Sequence, residues 1–444
     1  MEVRFPGPFR LTATLTVGAV LLFPPPRLRG ETPNAAATPA GPQFVAALVR
    51  NLGDEDYHVR VRADEQLIGL GLSARAELEK AAMDDDPELR LRAKALLKRI
   101  QIEDLWRAGH TTIDAAGKKA SDIIRELGEH TGNNVLLGDQ YGQFDDQTLE
   151  TPLNSRSFWP LLDEICRNTS NRLRPHFDPR EPGLVVSSGK PGDYPTAYAG
   201  PIRAQIISAR RAFSEELDFE TGESEKSHTF QMTVQMSWES RFHLVAYRSQ
   251  AELVAATTNV DTRIASTQPS GSGWNVAGSG ARQMSMTIRL HPPATAATKL
   301  DSLSLKWGLI AVGDLAALEV TDLASRKPHF KDDVELRVES VEESPGGRCE
   351  LDLLILRDVV LEDPQEAFFQ ECEFELVDQT GVAYRKQGQT NGTDRDGARV
   401  KLTFVGEGSE SKPARLKFTY PRIRSQRDVV LTFRDVPLPC GRPE

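Results

Sequence analysis

The chain predicts a multidomain α+β protein, with helical repeat hairpins first, a small βαβ repeat domain next and two antiparallel β-sandwiches last. Three observations predict it. The stretch DEDYHVRVRADEQL from Asp54 returns thirty residues later, from Asp84, as DDDPELRLRAKALL with six identities. Two helix-like runs beyond it match at a single offset of 38 residues. From Tyr198 onward, short stretches of strict apolar/polar alternation replace the helical spacing. A length of 444 residues exceeds what one ordinary core serves and fits about three domains. The boundaries follow the pattern changes: 1–37 leader and linker, 38–108 helical repeats, 109–190 βαβ repeats, 198–326 and 328–440 sandwiches.

The leader has the three-part layout of an export signal. Arg4 and Arg10 precede the apolar run Leu11 to Phe23, and Ala35 and Ala37 stand in cleavage-site spacing. As a helix that run rises only about 20 Å, short of a roughly 30 Å hydrocarbon core, and Pro24 to Pro26 stop its extension. An exported protein of the periplasm or cell envelope is expected, with no membrane span beyond this segment should it stay uncleaved.

Hydrophobic residues make up 39% and charged residues 27% of the chain, which is globular composition. The net charge of −10 opposes phosphate binding at long range, so nucleic acid is excluded as an expected partner. Cys166, Cys349, Cys372 and Cys440 are too few and scattered for a disulfide framework, and none forms a C-x-x-C zinc pair.

In the second copy Asp86 precedes Pro87, and in the first Asp56 holds the same place. A carboxylate there accepts from the open amides of a helix's first turn, and proline at the first helical position loses no bond. Behind each cap, Val59, Ala63 and Leu67, then Leu89, Ala93 and Leu97, form one buried stripe. Helical runs from Pro42 and Ser73 precede the copies, so the unit is a helix pair. It resembles HEAT-type repeats over about Pro42 to Trp106, on Asp56, Val59, Arg60, Ala63, Leu67 and on Asp86, Leu89, Arg90, Ala93, Leu97. The resemblance implies scaffold, with arginines that pair with acids of the adjoining unit. A cation site from Asp54, Asp56 and His58, or from Asp84 to Asp86, is the competing reading; capping and repetition already account for these residues.

TTIDA (Thr111 to Ala115) reads as a strand, ASDIIRELGEHTG as a helix and NNVLL as a strand; QTLET, SFWPLLDEICRNTS and NRLRPHF repeat the order, and GLVVSS closes it. Ile124/Leu162, Glu126/Glu164, Leu127/Ile165, Thr131/Thr169 and Asn133/Asn171 share the offset. The unit resembles the βαβ module at the N-termini of secretins and TonB-dependent signalling receptors. That resemblance implies a protein–protein interaction domain of the bacterial envelope without catalytic residues; neither the pore nor the barrel of those families is present.

In HTFQMTVQMSW, Phe230, Met232, Val234, Met236 and Trp238 share one strand face, and QMSMTIRL repeats the scheme from Met284. LDSLSLKWGLIAV, VELRVESV, CELDLLIL, CEFELV, RVKLTFV, ARLKFTY and VVLTFRDV continue it, which makes two sandwiches divided near Ser325 to Pro328. The methionines would suit Cu(I), but alternation explains them as core. Cys349 and Cys372 lie on apolar faces of the last sandwich; a disulfide between them and two buried thiols are both open, the thiols favoured. SGSGWNVAGSG from Ser270 lacks the helix and lysine of a phosphate loop and reads as a hairpin loop. The acidic run EELDFETGESE from Glu215 reads as a solvated loop, weak calcium binding being its alternative.

The histidines are dispersed, and neither HExxH nor GxSxG occurs. No catalytic, cofactor or metal residues are assigned. The order of modules resembles large bacterial exported multidomain proteins, and the function expected is a non-enzymatic envelope adaptor that binds envelope proteins. A carbohydrate- or calcium-binding sandwich protein is the alternative, and a hydrolase assembled from distant residues the second.

Overall fold

The computed structural model describes residues 41–138, 143–150, 152–174, 183–267, 273–277, 282–332, 334–357, 372–394, 397–406 and 412–439. The leader and Cys440 lie outside them. The chain is a mixed α+β protein, mostly strands in several sheets.

Helices α1 (Pro42–Asn51), α2 (Tyr57–Leu70), α3 (Arg75–Ala81) and α4 (Pro87–Leu105) pack around Leu48, Leu52, Leu67, Leu78, Leu96 and Ile100. Asp56 and Asp86 are the N-caps of α2 and α4, accepting from the His58 and Glu88 amides at 2.8 and 2.9 Å. In α4 the stripe turns slightly from the expected one: Ala93, Leu96 and Ile100 are buried, and Leu89 and Leu97 pack at its margin. Helix α4 also runs on to Leu105, long enough to reach the β-rich half.

Helices α5 (Ala120–Thr131) and α6 (Phe158–Asn168) cover a sheet of β1 (Val135–Leu137), β2 (Asn171–Arg174) and β3 (Leu184–Ser188), in the order β1-β3-β2. Strand β3 is central, parallel to β1 and antiparallel to β2. TTIDA does not become a strand, and neither does 147–150 of QTLET. Single bridges lie beside or within them, His110 with Ser157 and Lys119 with Thr148, too brief to form a ladder.

The remaining strands are β4 (Thr196–Ala199), β5 (Ile202–Leu217), β6 (Ser224–Trp238), β7 (His243–Arg248), β8 (Glu252–Thr258), β9 (Trp274–Val276), β10 (Gln283–Leu290), β11 (Lys299–Val320), β12 (His329–Lys331), β13 (Val334–Ser344), β14 (Arg348–Arg357), β15 (Glu373–Asp378), β16 (Arg385–Asp394), β17 (Gly397–Val405) and β18 (Pro413–Pro437). The loop reading of Ser270 to Gly280 is thereby corrected for 274–276. Those residues pair with β7 as β9, and the Arg248 guanidinium lies 4.4 Å from the Trp274 ring centre.

A first core lies between the sheet β10-β6-β5-β4 and the sheet built on β11, β18, β7 and β8; a second lies between β15-β18-β11 and the sheet β12-β13-β14-β17-β16. Met232 and Met236 are fully buried in the first core, with Met284 and Met286 against it. Cys349 and Cys372 are buried thiols of the second.

The sheets are joined differently from the expected division. ARLKFTY and VVLTFRDV form one strand, β18, which pairs with β11 from Lys299↔Pro437 to Val320↔Leu416 without a shift of register. This two-stranded ribbon serves both cores. Leu303, Leu305, Trp307, Leu309 and Ala311 fill the first, and Ala316, Leu318 and Val320 the second. On β18, Val429, Leu431 and Phe433 fill the first, and Leu416, Phe418 and Tyr420 the second. Because successive side chains alternate between faces, odd positions serve the first core and even positions the second along 303–320 and 416–433, while at the outer end the even-numbered pair Leu300 and Val436 also joins the first. The division near 326/328 therefore separates the cores along neither strand of the ribbon, since β11 has already entered the second core by Ala316 and β18 serves both. Asp314, with φ +52°, marks the crossing, and α4 packs there through Leu105 against Gly313.

Candidate functional site

The duplicated acidic turns form a closed set of contacts. Asp54 Oδ1 accepts from the Asp56 amide and Asp84 Oδ1 from the Asp86 amide. Arg60 Nη1 donates to the Asp54 and Glu55 carbonyls at 2.8 Å, and Arg90 Nη1 to the Asp84 carbonyl at 2.7 Å. Each arginine thus ties down the turn of its own unit, which corrects the expectation of bridges to the next. Across the units, Arg92 and Arg99 of the second act on Asp64 of the first: burial pushes its carboxyl up, against these two guanidiniums. Among the described residues no group of three His, Cys, Asp or Glu side chains is placed to hold a metal ion.

A second constellation repeats at the offset of 38. Thr131 Oγ1 donates to the Leu127 carbonyl and receives the Asn133 amide; Thr169 Oγ1 donates to the Ile165 carbonyl and receives the Asn171 amide. Each hydroxyl closes the last helical turn and aims an asparagine beyond it. Asn171 clamps the backbone of Asp145 from both sides. Asn133 instead reaches the segment after β6, where its Oδ1 accepts from Ser240 Oγ and the Arg241 amide, and its Nδ2 donates to Glu239.

Glu239 is 0% exposed. Its carboxylate accepts from the Gly109 amide (2.9 and 3.1 Å), Asn133 Nδ2 (3.1 Å) and Arg241 Nε (2.7 Å), and Arg241 continues to the Arg107 carbonyl. A buried carboxylate is tolerated only when so satisfied. The seam admits no more atoms: a Cβ on Gly109 would stand 2.8 Å from Thr131 Cβ, and one on Gly200, whose φ is +55°, 2.3 Å from the Trp106 carbonyl. Around it Trp159 Nε1 donates to the Pro201 carbonyl, Arg203 grips Asp163, and Trp106 enters the first core with its indole on Ser425 Oγ. Arg427 meets Glu103 of α4 at 2.9 Å. The helical, α/β and β-rich parts therefore meet at one packed junction. Its sequence signal was the Thr-x-Asn pair within the repeat; Glu239, isolated in sequence, had none.

A groove of about 510 Å³ runs beside β8, lined by Leu253, Ala255, Ile264 and Arg263 among others. Its Glu252 is engaged by Lys306 at 2.6 Å, and none of the described residues lining it is a histidine. Burial pushes the Cys166 thiol up to about 12 and the Cys349 thiol up to about 11, so neither is a thiolate nucleophile near neutrality. The acidic run from Glu215 is not a plain loop. It forms the outer end of the β5–β6 hairpin, an arm exposed from Glu215 to Thr229.

No family model matches the chain, and no curated protein matches it. Among solved structures it is similar to the crystal structure of a conserved domain protein from Bacillus anthracis, at 11% identity over 53% of this chain and 88% of that one, with a TM-score of 0.16. A likeness at that level carries no argument about fold or function.

Proposed function

We propose that the protein is a non-enzymatic adaptor of the bacterial cell envelope, exported by its N-terminal apolar segment, that holds protein partners in fixed relative positions. One observation carries the reading: the buried charges at the junction, Glu239 and Arg203, are satisfied across modules, Glu239 by Gly109 and Asn133 and Arg203 by the nearly buried Asp163. Polar networks buried between modules fix geometry, as a scaffold requires, whereas a catalytic site needs polar groups left available to a substrate. The HEAT-like and secretin-type resemblances support the same reading, since both kinds of module bind proteins elsewhere.

Affinity purification of a tagged full chain from gently solubilised envelopes tests it, with mass spectrometry of the co-purifying proteins and of the chain's own N-terminus. A stoichiometric protein partner and a processed N-terminus are expected. Recovery as a lone processed chain would remove the adaptor reading and return attention to glycan or calcium binding by the β-rich half.

A further inference from the structure

The β5–β6 hairpin outgrows its sheet. Ile202, Ala204 and Ile206 on one strand and Phe230 to Trp238 on the other fill the first core, yet pairing continues outward to Leu217 and Ser224. Register places Phe213 opposite His228, Glu215 opposite Lys226 and Leu217 opposite Ser224. By alternation these pairs share the face that carries Phe230 into the core. The core-facing side of the sheet is thus prolonged into solvent as a mixed face, with Phe213 and Leu217 on either side of the Glu215–Lys226 pair.

At the tip the turn is tightly held. Asp218 Oδ1 accepts from the Glu220 and Thr221 amides at 2.7 and 3.2 Å, the Gly222 amide donates to the Asp218 carbonyl at 2.8 Å, and the Asp218 amide to the Glu223 carbonyl at 2.8 Å. This turn holds Phe219 92% exposed, the most exposed large hydrophobic side chain among the described residues. From Glu215 to Glu225 the arm carries six carboxylates, of which Glu215 is paired with Lys226 at 3.5 Å.

We propose that this arm is a docking finger that seats Phe219 in an apolar pocket of a partner protein whose rim is lined by lysine and arginine. The inference rests on the adaptor reading and names the partner's chemistry. An aromatic anchor at the centre of a contact dominates binding, and a turn already fixed in place loses little freedom on docking. The carboxylates around the anchor select and steer toward a basic rim. They repel anionic lipid headgroups and nucleic acid, and a second copy of a chain of net charge −10 is also disfavoured.

The test uses the full chain with benzoylphenylalanine in place of Phe219, produced in its native host and illuminated in intact cells, with the cross-linked peptides sequenced. One partner protein is expected, joined at residues that border a pocket with a lysine or arginine rim. With that partner purified, Phe219→Ser weakens Kd by about tenfold or more. The triple variant Glu216→Lys, Glu220→Lys, Glu223→Lys weakens it strongly at low salt and less at high salt. Met83→Ser, which removes an equally exposed side chain from the helical block, leaves Kd within about twofold. All three changes lie on exposed residues, and coincident thermal melts verify that folding is unaffected. Cross-links only to lipid, only to other copies of this chain, or without a dominant partner overturn the proposal. So does a partner whose affinity ignores Phe219→Ser; in that case the adaptor stands and the finger falls. Absence of any stoichiometric partner in the affinity purification removes both.

Discussion

Arg203 on β5 grips Asp163 on α6 through two hydrogen bonds of 2.8 Å, Nε to Oδ2 and Nη2 to Oδ1, while Tyr198 Oη donates to the same Oδ2 at 2.7 Å. The pair is nearly buried, and the guanidinium lies 5.7 Å from the Trp159 ring centre. One fork thus ties the α/β module to the first β core. Removing one partner leaves the other charge uncompensated, so Arg203→Ala lowers unfolding stability by about 3 kcal/mol. Arg203→Lys recovers less than half of that, because an ammonium cannot reproduce two parallel bonds. Denaturant titration measures both, and coincident curves for wild type and Arg203→Ala would remove the tie.

At the neighbouring seam, Gly109→Ala forces a methyl to within 2.8 Å of Thr131 Cβ and costs about 2 kcal/mol. Glu239→Ala leaves the Gly109 amide, the Asn133 amide and Arg241 short of an acceptor and costs about 3 kcal/mol. Since both changes strike the same contact, the double variant loses less than the sum by about 1 kcal/mol. Full additivity would show that the two residues do not share one site.

Each cap of the helical repeat is separable. Asp56→Ala and Asp86→Ala each cost about 1 kcal/mol, while Asp56→Asn costs a few tenths at most, since an amide oxygen still accepts. Calcium added to the wild-type protein leaves Tm unchanged; a concentration-dependent rise would mark an ion site.

The shared ribbon predicts that residues 198–326 expressed alone do not fold cooperatively. That fragment lacks Val429, Leu431 and Phe433 of its own core and the strand that pairs along the whole of β11. A calorimetric scan of the fragment is expected to show no transition, and a sharp one would mean that the first core closes without β18.

Glu164 gives a pH dependence. Burial works to raise its carboxyl, but the Asn154 and Ser155 amides donate to it and hold it below the ordinary carboxylate value. A folded-state value below the unfolded one gives stability that is present above the unfolded value, roughly pH 4.3, and is lost as pH falls through the folded value. Stability of the wild type therefore declines more steeply below about pH 4.3 than that of Glu164→Gln. Parallel acid titrations of the two unfolding midpoints test this.

Much of the local structure was legible because it rests on neighbours in sequence. Asp56 and Asp86 could be placed as caps from a proline and a helical stripe, and Phe230 to Trp238 as an inward face from alternation alone. The long-range features were not. Nothing in ARLKFTY or VVLTFRDV says that Pro421 and its flanks continue the strand, because a proline between two alternating runs reads as a break. Here it sits opposite Leu315 within the ribbon. TTIDA has strand composition, yet the three-stranded sheet is made of β1, β3 and β2 without it, and bridges form only beside it, at His110 and Lys119. Glu239 was invisible for a plainer reason: its partners Gly109 and Asn133 come from more than a hundred residues away.

Because the two cores take opposite parities along 303–320 and 416–433, the residues between Ala311 and Ala316 and between Tyr420 and Val429 act as a counter. Losing or gaining a single residue there would turn one core's side chains outward while leaving the other's in place. Evolution can change what these segments are made of far more readily than how long they are.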